Sequence, residues 1–188
     1  MKRVRMHFVA IAFVGVASIP WAARAETLLI PWVSANTSSP YTSGIVGFGG
    51  SVGVTAGGVI GVDVDFGYSP EFFGNNLNSY VLTTMGNVIV GIPFDRAQAA
   101  GIRPYVTGGV GLIRAHIDSA RNNYSIASND VGVNVGGGVM GFVGDHIGVR
   151  ADLRYIRSVQ DNNTTYPFSP LDLSRLHYWR TSFGLVVR

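Results

Sequence analysis

Beyond Glu26 the chain alternates apolar and polar residues with period two, and no long stretch follows a helical period. Successive side chains of a strand point to opposite faces, so this pattern calls for a sheet with one apolar and one polar face. Ile60, Val62, Val64, Phe66 and Tyr68 share one face, against Gly61, Asp63, Asp65 and Gly67. Ile147, Val149, Ala151, Leu153 and Tyr155 oppose Gly148, Arg150, Asp152 and Arg154. Trp179, Phe183, Leu185 and Val187 oppose Arg180, Ser182 and Gly184, and a run of valines from Val131 to Val143 opposes Asn134, Gly136 and Gly138.

Gly, Asn, Asp and Pro interrupt the alternation, and dividing the chain at them predicts eight strands. These are Thr27–Asn36, Thr42–Val54, Gly58–Tyr68, Ser79–Pro93, Gly101–Asp118, Asn129–Gly144, Ile147–Val159 and Leu176–Arg188. Short links at Thr55-Ala56-Gly57 and Asp145-His146 and a modest one at Phe94–Ala100 contrast with the longer Ser69–Asn78, Ser119–Ser128 and Gln160–Arg175. The link Thr37–Tyr41 is intermediate. Short turns on one side and longer loops on the other fit an up-and-down antiparallel barrel in an outer membrane. An even strand number brings both ends of the sheet to the turn side.

Residues 1–25 read as a secretory leader, with residues 26–188 forming one barrel domain. Lys2, Arg3 and Arg5 precede the apolar run Phe8–Ile19, and Ala23-Arg24-Ala25 has the form of a cleavage site. The apolar run is shorter than the roughly 20 residues a membrane-spanning helix needs. The leader holds four of the 14 basic residues, Lys2, Arg3, Arg5 and Arg24. Ten remain, all arginine, against eleven acids, for a net charge of −1. The basic balance therefore belongs to the leader and gives no footing for nucleic-acid binding. The chain has no cysteine, which excludes disulfides and thiolate metal sites.

Two barrels share this alternation. A soluble one turns the apolar face inward, and a membrane one turns it to lipid. Only 13% of residues are charged, against about 25% in soluble domains, so the polar face is too sparse and too rich in glycine to meet water. An eight-stranded lumen is just filled by side chains, which suits glycines and paired charges. Reversing the strand that carries Arg150 and Arg154 would put arginines in lipid, at about 2–4 kcal/mol each near the midplane. The expected inward network is Asp63, Asp65, Arg103, Arg150, Asp152, Arg154 and Arg180. Phe66, Tyr68, Tyr155, Trp179 and Phe183 are expected to face lipid or form an interfacial girdle.

Gly58–Phe73 with GVDVDFGYSPEFF, Met85–Pro93 (MGNVIVGIP), Arg103–Ala115 (RPYVTGGVGLIRA) and Val131–Val159 (VGVNVGGGVMGFVGDHIGVRADLRYIRSV) resemble the outer-membrane β-barrel domain family, in particular the transmembrane domain of OmpA. The resemblance runs over nearly all of residues 26–188. It implies a bacterial outer-membrane protein surrounded by lipid, served by periplasmic chaperones and the barrel-assembly machinery, without a cofactor. It specifies no activity. Such barrels commonly end in an aromatic residue that the assembly machinery recognises, and this chain departs from them by ending Leu185-Val186-Val187-Arg188.

Other constellations are weaker. The inward charges read more simply as a salt-bridged plug than as a selective pore, given the narrow lumen. His116, His146 and His177 fall on separate strand ends and a turn, short of the three or four convergent ligands of a zinc site. Ser174, His177 and Asp172 lie close in sequence, as a lipid-modifying enzyme would need, but no nucleophile elbow accompanies them. No phosphate-loop motif accompanies the glycine strings. The Asn36, Asn123 and Asn163 sequons mark only exposed polar loops. The expected role is structural or surface-interacting rather than enzymatic, with a narrow channel as the alternative. Phe72, Phe73, Tyr124, Tyr166 and Phe168 are candidate loop contacts.

Overall fold

The computed structural model describes residues 25–38, 42–57, 59–72, 78–92, 101–119, 124–159 and 176–188. The period-two segments form eight strands: β1 (Ala25–Ser38), β2 (Thr42–Ala56), β3 (Ile60–Pro70), β4 (Asn78–Gly91), β5 (Ile102–Ser119), β6 (Tyr124–Val143), β7 (Ile147–Ser158) and β8 (His177–Val187). Each pairs antiparallel with the next, and β8 closes on β1. No described residue is helical.

Following paired residues around the wall measures its stagger. Ala25 pairs with Ala56, and the path continues through Ile60, Val90, Val106, Gly137, Leu153 and Thr181 to Ala35. It returns to β1 ten residues beyond its start, from 25 to 35. A register offset of this kind tilts the strands and leaves an interior that side chains fill.

The two ends differ. At the turn end, Gly57 (φ 59°) links β2 to β3 and Gly144 (φ 79°) links β6 to β7. Both occupy the left-handed region, which glycine enters without a Cβ penalty. At the opposite, loop end, β5 and β6 pair out to Ser119 and Tyr124, whereas β7 stops at Ser158. The β4–β5 link at 93–100 and the connection at 160–175 lie outside the described residues.

Burial follows the alternation strictly, with exposed and buried residues taking turns along β3, β7 and β8. The exposed face is apolar: Val33, Val52, Phe66, Val88, Val106, Val110, Val135, Val149, Phe183 and Leu185 are between 47% and 63% exposed. A continuous apolar belt around a closed wall is incompatible with water and matches the hydrocarbon of a bilayer. The buried face carries the polar residues. Asp63, Asp65, Arg150, Asp152, Arg154 and Arg180 are all at least 95% buried. Strand closure leaves no sheet edge in that belt.

Candidate functional site

Register places a compact charge lattice in the middle of the bore. β3 supplies Asp63 and Asp65, β7 supplies Arg150, Asp152 and Arg154, and β8 supplies Arg180, giving three cations against three anions. Asp152 receives Arg150 Nη2 at 2.9 Å, Arg154 Nη2 at 3.1 Å, the Tyr105 hydroxyl at 3.0 Å and the Ser182 hydroxyl at 2.7 Å. Asp63 receives Asn87 Nδ2 at 2.6 Å and lies 3.3 Å from Arg150 and 3.8 Å from Arg154. Asp65 receives Arg180 Nη2 at 2.8 Å and Trp32 Nε1 at 3.1 Å, with Arg154 at 3.9 Å. The Arg180 guanidinium lies 4.4 Å from the centre of the Trp32 ring, and that of Arg150 lies 4.9 Å from Tyr105. Buried charges persist only when paired and hydrogen-bonded, and every carboxylate here meets that condition.

Glycines make the room. Gly53 stands opposite Asp63, Gly109 opposite Asn87, Gly136 opposite Arg154 and Gly138 opposite Asp152. A Cβ at Gly138 would lie 2.6 Å from both the Asp152 Cβ and the Tyr105 hydroxyl. The glycine-rich strings are therefore complements to the large inward side chains.

An apolar cluster lies at each side of the lattice. Leu28, Ile30, Ile89, Tyr105, Met140 and Val186 pack together toward the turn end. Phe72, Val81, Met85, Ile113, Ala115, Ile156, Leu176 and Tyr178 pack toward the loop end. A cavity of about 20 Å³ beside Leu28, Thr55 and Met140 has room for a single water.

Of the seven residues expected in the lumen network, six share this lattice. The seventh, Arg103, lies apart at the turn-end mouth. It meets Glu26 at 2.9 Å, with Arg188 Nε 3.5 Å from the same carboxylate. Both arginines stack on Phe142, at 4.9 and 3.5 Å from its centre. Arg103 shares the parity of Tyr105 and Thr107 along β5, but its place next to the first residue of the strand puts it below the lattice. The alternation also holds Trp32, Tyr105, Asn87 and Ser182 at inward positions, although none of them carries a charge that draws attention.

The expected outward aromatics lie on the outer face: Phe66, Trp179 and Phe183 are exposed, and Tyr68 and Tyr155 are partly buried. Tyr68 lies 5.4 Å from Phe48 and 5.7 Å from Tyr80, and Tyr155 lies 5.2 Å from Trp179. Among the loop candidates, Phe72 is 1% exposed and packs edge-on against Tyr178, at 5.1 Å. Glu71, at φ 52°, turns the chain so that Phe72 enters the bore instead of projecting outward. Phe73, Tyr166, Phe168, Ser174 and Asp172 lie outside the described residues, as does the side chain of Tyr124. Among the described residues no group of three or more His, Asp or Glu is placed to hold a metal.

A family model described as "Outer membrane protein beta-barrel domain" matches residues 9–174. No curated protein matches in sequence. Among solved structures, the chain is similar to Neisserial surface protein A (NspA), at 15% identity and a TM-score of 0.62, covering 87% of this chain and 97% of that one. The N-terminal β-barrel domain of Pseudomonas aeruginosa OprF gives 12% identity and a TM-score of 0.59 over 87% and 96%. Ail, the attachment invasion locus protein of Yersinia pestis, gives 15% and 0.53 over 87% and 98%. At these identities the likeness concerns the fold.

Proposed function

The chain belongs to the outer membrane protein β-barrel domain family and resides in the bacterial outer membrane, and on that footing we propose that it is a non-enzymatic barrel with a structural or surface-interacting role, its bore closed by side chains. Its longer connections face the cell exterior and its turns the periplasm. A secretory leader, periplasmic chaperones and the barrel-assembly machinery bring it there.

The observation that carries this reading is the balanced lattice of three arginines and three aspartates, held between two apolar clusters. A conducting path would need these buried pairs to separate, and breaking one buried pair costs about 3–5 kcal/mol. With the bore filled, interaction falls to the rim and the loops, which a rigid scaffold presents.

Planar-bilayer recording tests the closed bore. The reconstituted barrel is expected to give no steady ion-selective openings. Reproducible openings whose selectivity changes in Arg150→Ala would establish the narrow-channel alternative instead. Orientation has its own test, because the chain lacks cysteine. Glu71→Cys at the exposed loop end is expected to react with a membrane-impermeant maleimide on intact cells, and protection there would reverse the orientation.

A further inference from the structure

Burial along β3 alternates from Ile60 to Pro70 and then reverses. Continued parity would place residue 71 inside and residue 72 outside. Instead Glu71 is exposed and Phe72 is buried. The reversal has one local cause. Glu71 takes φ 52°, and among the described residues it is the only non-glycine in the left-handed region. The chain is still held on the ladder at this point: Pro70 pairs with Tyr80, and the Glu71 N–H donates to the Ser79 carbonyl at 2.7 Å. Rotation just beyond that N–H decides which face receives the Phe72 ring.

Both faces offer seats to both side chains. Inside, the ring packs with Val81, Met85, Ile113, Ile156, Leu176 and Tyr178. Outside, Phe66 and Tyr68 already form an outward aromatic row on β3, with Tyr68 5.7 Å from Tyr80, and an outward Phe72 would continue that row. Glu71 is solvated where it stands. Turned inward, it would lie one step beyond Ser69, in a polar corner where Asn36 Nδ2 donates to Ser69 Oγ at 2.8 Å. A left-handed φ costs a residue with a Cβ about as much as burial of one phenyl ring gains. The two settings are therefore close in free energy, as backbone outliers at switch regions are.

We infer that Phe72 is a reversible stopper of the loop end, exchanged between the two faces by the backbone setting of Glu71. With Glu71 left-handed, the ring closes the apolar chamber above the charge lattice. With Glu71 extended, the ring moves to the outer wall and the chamber opens toward the loop end. The lattice beneath is held by its own pairs, Asp65–Arg180 at 2.8 Å among them, so the device opens a blind pocket and not a channel. It concerns the loop end whichever compartment that end faces, so it stands or falls separately from the orientation of the barrel.

Fluorine NMR of the folded barrel in lipid nanodiscs, with 4-fluorophenylalanine placed only at position 72, tests the stopper. Two resonances are expected, one for each face, and lipid carrying a headgroup nitroxide should broaden the outward one preferentially. Glu71→Gly enters the left-handed region freely and should raise the inward share. Glu71→Val is β-branched, an outlier at that φ, and should raise the outward share. The ratio of the two resonances should differ about tenfold between these variants, the factor that the left-handed penalty implies. Heat-dependent gel migration verifies folding, and Glu71→Ala repeats the comparison should Glu71→Val not fold. The methyl resonance of Met85, in the chamber, should move with the inward share, while that of Met140, in the turn-end cluster, stays in place. A single resonance in every variant, or a ratio indifferent to residue 71, overturns the stopper. A second resonance that the nitroxide lipid leaves sharp overturns the outer seat and with it the exchange of faces.

Discussion

Arg150 on β7 and Asp63 on β3 stand on opposite walls of the barrel, four strands apart in either direction, and their side chains meet at 3.3 Å. Glu26 on β1 and Arg103 on β5 are likewise diametrically opposed and meet at 2.9 Å across the turn-end mouth. The first pair is almost fully buried and the second is about 30% exposed on each side. Two braces of the same chemistry therefore stand in different dielectric surroundings, and they should differ in worth.

Removing the buried cation leaves Asp63 and Asp152 with too few partners. Arg150→Ala is expected to lower unfolding stability by about 3–5 kcal/mol. Urea titration of the barrel folded in lipid vesicles reads this as a lower midpoint. Asp63→Asn combined with Arg150→Gln should cost less than the sum of the single changes, because neither partner is then left charged and alone. Strict additivity would mean that the two side chains are not coupled.

The mouth brace should behave as a surface pair. Arg103→Gln is expected to change stability by no more than about 1 kcal/mol. The small effect should shrink further in high salt, which screens exposed charges. An effect as large as that of Arg150→Ala would place Arg103 functionally with the central lattice after all.

Much of this arrangement is legible in the period-two pattern. Parity along β3, β7 and β8 matches the alternating burial of those strands, and the lattice residues share one parity. Parity reports which face a residue takes but not its height, which is why Arg103 groups in sequence with charges it does not touch. It also cannot show that β1 lies opposite β5, a consequence of closure, so the Glu26 partnership is not visible locally. Tyr124–Ser128 extend β6 beyond its sequence-based start at Asn129 without an apolar alternation, since pairing with β5 rather than a bilayer holds them. Phe72 escapes the pattern because a single left-handed residue, Glu71, redirects it.

The inward glycines carry a steric prediction. Gly138→Ala would crowd both Asp152 and Tyr105, whose mutual hydrogen bond is 3.0 Å. Loss of folded, heat-modifiable migration, or slower refolding into vesicles, is expected. Gly86→Ala is the matching control, because an added Cβ there meets nothing closer than the Val110 carbonyl at 3.8 Å. Equal behaviour of the two variants would remove the packing argument for the glycine strings.

Depth along the outer wall supplies the final prediction. Val106 and Val131 are both outward and similarly exposed, at 49% and 45%. Val106 lies within the apolar belt, whereas Val131 neighbours Leu112 near the loop end, one outward step below Asn129. Arginine is costly at the bilayer midplane and nearly tolerated at the interface. Val106→Arg is therefore expected to cost about 2–4 kcal/mol in vesicles, and Val131→Arg about 0–1 kcal/mol. A barrel surrounded by water would show neither cost, since an outward arginine there is simply solvated. Matching values for the two variants would contradict the depth assigned to the belt, and the ratio between them measures where along the wall the hydrocarbon ends.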